Sequence, residues 1–409
     1  MVKKEICKYW QKGCCNRHLC PFLHGDGDGD GDGDGGEGRN VNVNPKPKPN
    51  VWVRDKEEKK ETQSMCMVWR RNEEKEMERC PCPCKYFLVG KCKYGDRCRY
   101  LHAWSWSTDF SLLTPLHGHH KAITAILLPS ASDELISSSE DGTLKFWNCH
   151  TGECISTRNF DSEIGCIMSD GPWLFVGLRN SIKVYNFENN TQFTLLGPAG
   201  LVYALAAHHD MLFAGTQSGQ IHVWRFSPEN NQFYPAASLT GHSDVVRSLI
   251  IGGATPTLYS SSQDNSIKAW DLTTLESVHT LSDHTDAVMS LLFWGQFLLS
   301  CSLDKTVKVW AKKDNGALEV IYTHTEEHGV LALQGTIDAT GQSVLCCSVN
   351  DHTVRLYNLP SFERRGRIFA KKEVRALQTG PSALFFTGDG TGDLKVWKWS
   401  TDKGCNMQC

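Results

Sequence analysis

The chain has 409 residues, 40% of them hydrophobic, which leaves room for two or three domains and at least one sizeable core. No run approaches the roughly 18 consecutive apolar residues of a membrane helix, and the opening MVKKEICKYW has no apolar signal region, so the expected location is cytosol or nucleus. The net charge of −3 hides an asymmetry: residues 1–24 carry +4, residues 79–102 carry +5, and everything else sums to −12, which suggests separate jobs.

The cysteines follow the same division. Ten of the 18 fall before residue 99, and in a reducing compartment clustered cysteines read as metal ligands before disulfides. The first cluster, CKYWQKGCCNRHLCPFLH, spans residues 7–24, within a small domain expected over 1–25. Its ligands read either as Cys7, Cys15, Cys20 and His24, spaced C-x7-C-x4-C-x3-H, or with Cys14 in place of Cys15, spaced C-x6-C-x5-C-x3-H. Three thiolates and one imidazole are the donor set of a closed tetrahedral zinc site.

Residues 26–79 form a linker expected to be disordered, with an alternating Gly/Asp run, then Pro/Lys alternation, then charged stretches. Asp26, Asp28, Asp30, Gly31 and Glu37 fit the spacing of a calcium loop. Any alternating Asp-Gly run ending near a Glu fits it equally, and neither flank can supply an amphipathic helix. The run reads as an acidic spacer.

The second cluster, CKYFLVGKCKYGDRCRYLH, lies at residues 84–102, within a domain expected over 80–104. Its ligands are Cys84, Cys92, Cys98 and His102, spaced C-x7-C-x5-C-x3-H. Gly90 and Gly95 allow the tight turns that wrap so short a chain around one ion. About twenty residues cannot build a core, so the metal must supply the folding free energy. Aligning CKYWQKGCC with CKYFLVGKC places Cys15 in the ligand position and Cys14 opposite Lys91, which favours Cys15.

Both clusters resemble the CCCH zinc-finger family, in ligand spacing and in the shared start CKY. The resemblance implies two zinc ions and, since CCCH fingers most often bind single-stranded RNA, a nucleic-acid partner. The residues between the ligands suit that partner, because aromatic faces stack on unpaired bases while cations follow phosphates. The candidates are Tyr9, Trp10, Lys12, Arg17 and Phe22 in the first finger. In the second they are Tyr86, Phe87, Lys91, Lys93, Tyr94, Arg97, Arg99 and Tyr100. About half of the rings are expected to pack on the metal site instead; DNA binding and protein docking are the alternative uses.

Residues 110–400 repeat. SSSEDGTLKFW, SSSQDNSIKAW and SCSLDKTVKVW end at Trp147, Trp270 and Trp310, and four weaker copies end at Tyr185, Trp224, Tyr357 and Trp397. Seven units mostly 35–45 residues apart, each alternating around a polar turn, predict an all-β, seven-bladed propeller followed by a tail over 401–409. The units resemble the WD-repeat family, whose buried His-Ser-Asp-Trp network carries over to three of them. Those sets are His119, Ser137, Asp141 and Trp147; His242, Ser260, Asp264 and Trp270; and His284, Ser300, Asp304 and Trp310. Their recurrence in register with the repeat marks them as blade ties, not catalytic triads. Units with Tyr185, or with Tyr357 and Cys347, lack the full set and are expected to be looser. Residues 110–119 precede the first unit and can close the ring as an outer strand, which would hold the second finger near the rim. Arg247 and Arg375 are candidate contacts for a protein partner.

Finger, spacer, finger and ring in this order resemble the plant family of CCCH zinc-finger, WD-repeat proteins. The resemblance implies a non-enzymatic nuclear adaptor that grips nucleic acid with its fingers and recruits proteins with its ring. No phosphate loop, open zinc position or nucleophile–base arrangement outside the blade network points to an enzyme.

Overall fold

The computed structural model describes residues 80–400, apart from 108, 130–133, 254–255, 314–315 and 382, and of residues 80–82 only the backbone. The expected first finger (Cys7, Cys15, Cys20 and His24, with Tyr9, Trp10, Lys12, Arg17 and Phe22), the linker over 26–79 and the tail over 401–409 lie outside the described residues. Among the described residues no helix is long and apolar enough to cross a membrane.

The small cysteine-rich unit comes first. Strand β1 (Cys80–Pro83) leads into one helical turn, α1 (Lys85–Leu88), and then to β2 (Tyr100–Leu101), which pairs parallel with β1. Two strands then tie this unit to the ring. β3 (Ser105–Trp106) adds a fifth strand beside β26 (Glu363–Phe369), with Ile368 opposite Ser105. β4 (Phe110–Leu116) pairs antiparallel with β29 (Leu394–Trp399) and is the expected closing strand. The bend between them is pinned by Arg365, which donates from Nε to Asp109 (2.7 Å), pairs with Asp338 through Nη2 (2.6 Å) and lies over the Trp399 ring.

The ring consists of antiparallel meanders. β5–β8 (Ile123–Leu127, Glu134–Ser139, Thr143–Asn148, Cys154–Asn159) form one sheet, β15–β18 (Val246–Gly252, Thr257–Ser262, Ile267–Asp271, Ser277–Leu281) another, and β19–β22 (Val288–Trp294, Phe297–Ser302, Thr306–Lys312, Leu318–Thr325) a third. β23–β25 (Val330–Ile337, Ser343–Val349, Thr353–Asn358) join β26 and β3, and β27–β28 (Val374–Thr379, Leu384–Asp389) join β29 and β4. The second strand of each meander is buried on both faces, as in β6, where Leu135 to Ser139 are all buried, because each sheet is sandwiched between two neighbours; the fourth strand is more open, and β8 is exposed throughout. Six of the seven apolar clusters bridge consecutive sheets. Leu394, Val396 and Phe386 of the last pack against Ile123, Leu135 and Trp147 of the first, which seals the ring.

The sheet count corrects the expectation of seven blades: the propeller has six sheets. The units ending at Tyr185 and Trp224 share one six-stranded sheet, β9–β14 (Cys166–Asp170, Trp173–Asn186, Gln192–His208, Met211–Thr216, Ile221–Ser227, Gln232–Leu239). Elsewhere an Asp-led turn separates the second and third strands. Here β10 reverses at Asn180 alone (φ +63°), and β11 bends between Gly197 and Gly200, both at positive φ, so each strand runs on through the corner.

Candidate metal centre and nucleic-acid face

A few backbone bonds set the finger's path. The Cys84 N–H donates to the Leu101 carbonyl (2.9 Å), which brings the first ligand beside the last, and the Leu88 N–H donates back to Cys84 O (3.1 Å) to close α1. Left-handed turns at Gly90 (φ +68°) and Gly95 (φ +48°) reverse the chain between ligands; a Cβ at either position would be strained although the space around it is open. A second tight turn, Gly95–Arg97, delivers Cys98, whose N–H donates to Gly95 O (3.1 Å).

The result brings one donor atom each from Cys84, Cys92, Cys98 and His102 within 4.8 Å of one another. A tetrahedron with arms of about 2.3 Å has edges of about 3.8 Å, so a small contraction around one ion gives zinc geometry. Three observations fit that ion. The donor set is soft and complete, His102 Nε2 is buried without a hydrogen-bond partner, and Cys84 and Cys98 are the buried side chains of the finger. The thiols already behave as a cluster. Desolvation raises the Cys84 thiol, but the Phe87 backbone, His102 and the other two thiols outweigh it and lower it to about 6. The Cys98 thiol is raised, by burial and by its two sulfur neighbours, against a lowering backbone bond from Tyr100. A cation among the sulfurs would ionise all three.

Phe87 stacks on the His102 ring (centroids 4.8 Å apart, planes at 17°) and touches Trp104 (5.7 Å), so it holds a ligand and is not an open platform. The other candidate rings turn outward: Tyr86 is 65% exposed, Tyr94 68% and Tyr100 49%. Lys91, Lys93, Arg97 and Arg99 are exposed among them, as is Lys85.

The three complete WD sets form buried chains. In each, the Trp Nε1–H donates to the Ser Oγ at 2.8 Å and that oxygen lies 2.7 Å from the His Nε2, in the pairs Trp147–Ser137–His119, Trp270–Ser260–His242 and Trp310–Ser300–His284. His242 and His284 then reach Asp264 (2.8 Å) and Asp304 (2.7 Å) through Nδ1. His119 reaches Asp141 through the Thr143 hydroxyl, at 2.7 and 2.5 Å. Each proton is used once if the Ser hydroxyl donates to Nε2 and the neutral imidazole carries its own proton on Nδ1. Burial lowers His119 to about 4, only partly opposed by Asp141, so it is neutral at pH 7. The serines are fully buried.

The unit with Cys347 and Tyr357 departs from the expectation of looseness. Glu326 stands where the other units have His, buried, and pairs with Arg355 Nη1 while accepting from the Tyr357 hydroxyl. Arg355 Nη2 also donates to Asp351 (2.9 Å) and Glu327 (3.0 Å). In the last unit Trp397 Nε1–H donates to Thr387 (3.0 Å), a hydroxyl in place of the serine. Of the proposed partner contacts, Arg375 is held by Glu140 (2.7 Å) and Glu373 (2.9 Å), and Arg247 lies over the Tyr203 ring (4.5 Å).

The chain matches the CCCH-type zinc finger over residues 82–103 and the WD domain, G-beta repeat, over 110–148, 233–271 and 275–311, the segments that hold the three complete sets. Zinc finger CCCH domain-containing protein 17 of Oryza sativa subsp. japonica is 49% identical over 401 residues, covering 97% of this chain and 92% of the relative. Zinc finger CCCH domain-containing protein 48 of Arabidopsis thaliana is 48% identical over 399 residues, covering 98% and 92%. Among solved structures, the WD40 beta propeller domain of Doa1 superposes with a TM-score of 0.60 at 18% identity, covering 73% of this chain and 98% of that one, a likeness of fold.

Proposed function

This chain belongs to the plant family of CCCH zinc-finger proteins with WD repeats, and from that premise we propose that it is a zinc-dependent adaptor that binds single-stranded RNA through its fingers and protein partners through its propeller. The observation that carries the reading is the outward face of the second finger, where Tyr86, Tyr94 and Tyr100 stand exposed among Lys85, Lys91, Lys93, Arg97 and Arg99. Exposed rings cost solvation and gain nothing by packing; beside cations they offer stacking platforms and phosphate contacts together. Zinc with three thiolates carries a net −1, which the surrounding cations exceed. Unpaired RNA fits better than duplex DNA, because the four-residue helix α1 is too short to read a major groove, while splayed bases need only flat rings. The proposal includes a second ion held by Cys7, Cys15, Cys20 and His24, by analogy of spacing.

The test is anisotropy of a labelled 20-nucleotide single-stranded RNA titrated with the zinc-loaded full chain. Replacing Tyr86, Tyr94 and Tyr100 together by Ala should weaken binding at least tenfold, each stacked ring being worth about 1–3 kcal/mol, with zinc content unchanged. An absence of affinity in low salt, or tighter binding to duplex DNA, would refute the RNA assignment. Elemental analysis should find two zinc ions per chain; a Cys15→Ser variant should lose one, and a Cys14→Ser variant none.

A further inference from the structure

Between the finger and the last propeller sheet lies an open groove of about 310 Å³. Leu88 and Val89 of the finger form one wall, Leu112 and Pro115 of β4 the other, and the half-buried Trp104 and the buried Lys395 line its base. The volume is at the small end of ligand sites. Apolar walls with few polar groups are what a single flat, heteroatom-bearing ring requires.

Lys395 is the unusual member. The lysine at its position, two residues before the repeat's terminal aromatic, is satisfied in three other units by a threonine directly opposite on the outer strand. Lys145 donates to Thr157 (3.0 Å), Lys183 to Thr194 (2.8 Å) and Lys268 to Thr280 (2.9 Å). Opposite Lys395 stands Pro115, which has no hydroxyl. Its ammonium, in a residue only 4% exposed, is left 4.5 Å from the centre of the Trp104 ring and 3.5 Å from Asp389 Oδ2, an oxygen that itself lacks a hydrogen-bond partner. A buried ammonium has three donors and is costly to leave short of acceptors. At the rim, Asp393 accepts from the His117 Nδ1–H (2.9 Å) and from Lys371 (2.7 Å), which leaves His117 Nε2 as an acceptor and the remaining Lys371 protons as donors.

We infer that this groove is a base pocket, built jointly by finger and propeller, that takes one unpaired oxo-bearing base of the bound RNA strand, its carbonyl oxygen accepting from Lys395. The inference rests on the RNA reading above and assigns the propeller a share in it. The finger supplies both the open rings and one wall of the groove, since Tyr86 precedes the wall residues Leu88 and Val89 in the chain. Uracil presents a carbonyl where adenine presents an amino group, and an ammonium donor discriminates between them.

The experiment compares binding of oligo(U) and oligo(A) 12-mers to the full chain with binding to Pro115→Thr. Threonine restores the partner that the other lysines have and draws the ammonium to the strand, so the fold should be as stable as before. The wild-type chain should prefer oligo(U) by about tenfold, and Pro115→Thr should bring the ratio close to one. Lys371→Glu should weaken both oligomers, and Lys305→Glu, on a distant turn, neither. A wild-type chain with no preference, or a preference untouched by Pro115→Thr, overturns the pocket while leaving the finger reading in place. Failure of both oligomers to bind overturns the RNA reading, and the pocket with it.

Discussion

Finger and propeller face opposite costs. In the propeller, seven apolar clusters run between and within the sheets, Trp310, Trp397 and Trp399 are almost wholly buried, and even the polar ties are sealed from water. In the finger the buried side chains are two of the four ligands, and the aromatic residues mostly point outward. A ring of this size can draw its free energy from area removed from water. A unit of about twenty residues draws it from a metal, and its surface stays available for another molecule.

The sharpest way to separate the two is to remove one donor. Cys98→Ser should cost the finger most of a binding free energy that for structural zinc is about 10–16 kcal/mol, abolishing its hydrogen-exchange protection and one equivalent of zinc. The propeller's thermal transition, followed by calorimetry, should persist. Within the propeller, Glu326→Ala leaves Arg355 Nη1 and the buried Tyr357 hydroxyl without their acceptor, with only Asp351 and Glu327 to hold Arg355, and should cost about 3–5 kcal/mol in urea titration. Acid should act through the histidines. A His whose folded pKa lies below its unfolded value of 6.5 stabilises the fold fully above pH 6.5, and that contribution is lost as the pH falls towards the folded value. For His119, at about 4, the loss is on the order of 3 kcal/mol between pH 6.5 and 4, and His242, also lowered by burial, adds in the same direction. A His119→Gln variant should show a shallower decline over that range. Smallest of these, Ser300→Ala leaves the Trp310 N–H and His284 Nε2 without their shared partner, at about 1–3 kcal/mol.

The parts legible in the sequence were those whose chemistry is local. Cys84, Cys92, Cys98 and His102 lie within nineteen residues, and their spacing alone predicts the cluster. The Ser-to-Trp interval recurs because both residues belong to one hairpin, and the closing role of residues 110–116 follows from their place before the first unit. What stayed hidden needed long-range register. The Glu326–Arg355 pair joins the segment after β22 to β25 and has no spacing signature, although a glutamate in the histidine position, with Arg355 before Tyr357, was a usable signal. The merged sheet came from single left-handed residues such as Asn180, where counting expected a full turn. The contact of Trp104 with Lys395 joins opposite ends of the ring segment, and only the closed structure brings them together.

The most direct test of the central claim is the salt dependence of single-stranded RNA binding by the zinc-loaded full chain. If Lys85, Lys91, Lys93, Arg97 and Arg99 neutralise phosphates, log K against log salt should fall with a slope of about −3.5, and the affinity should vanish when a chelator strips the metal. Binding that ignores both salt and chelator, or no binding at low salt, would contradict the account.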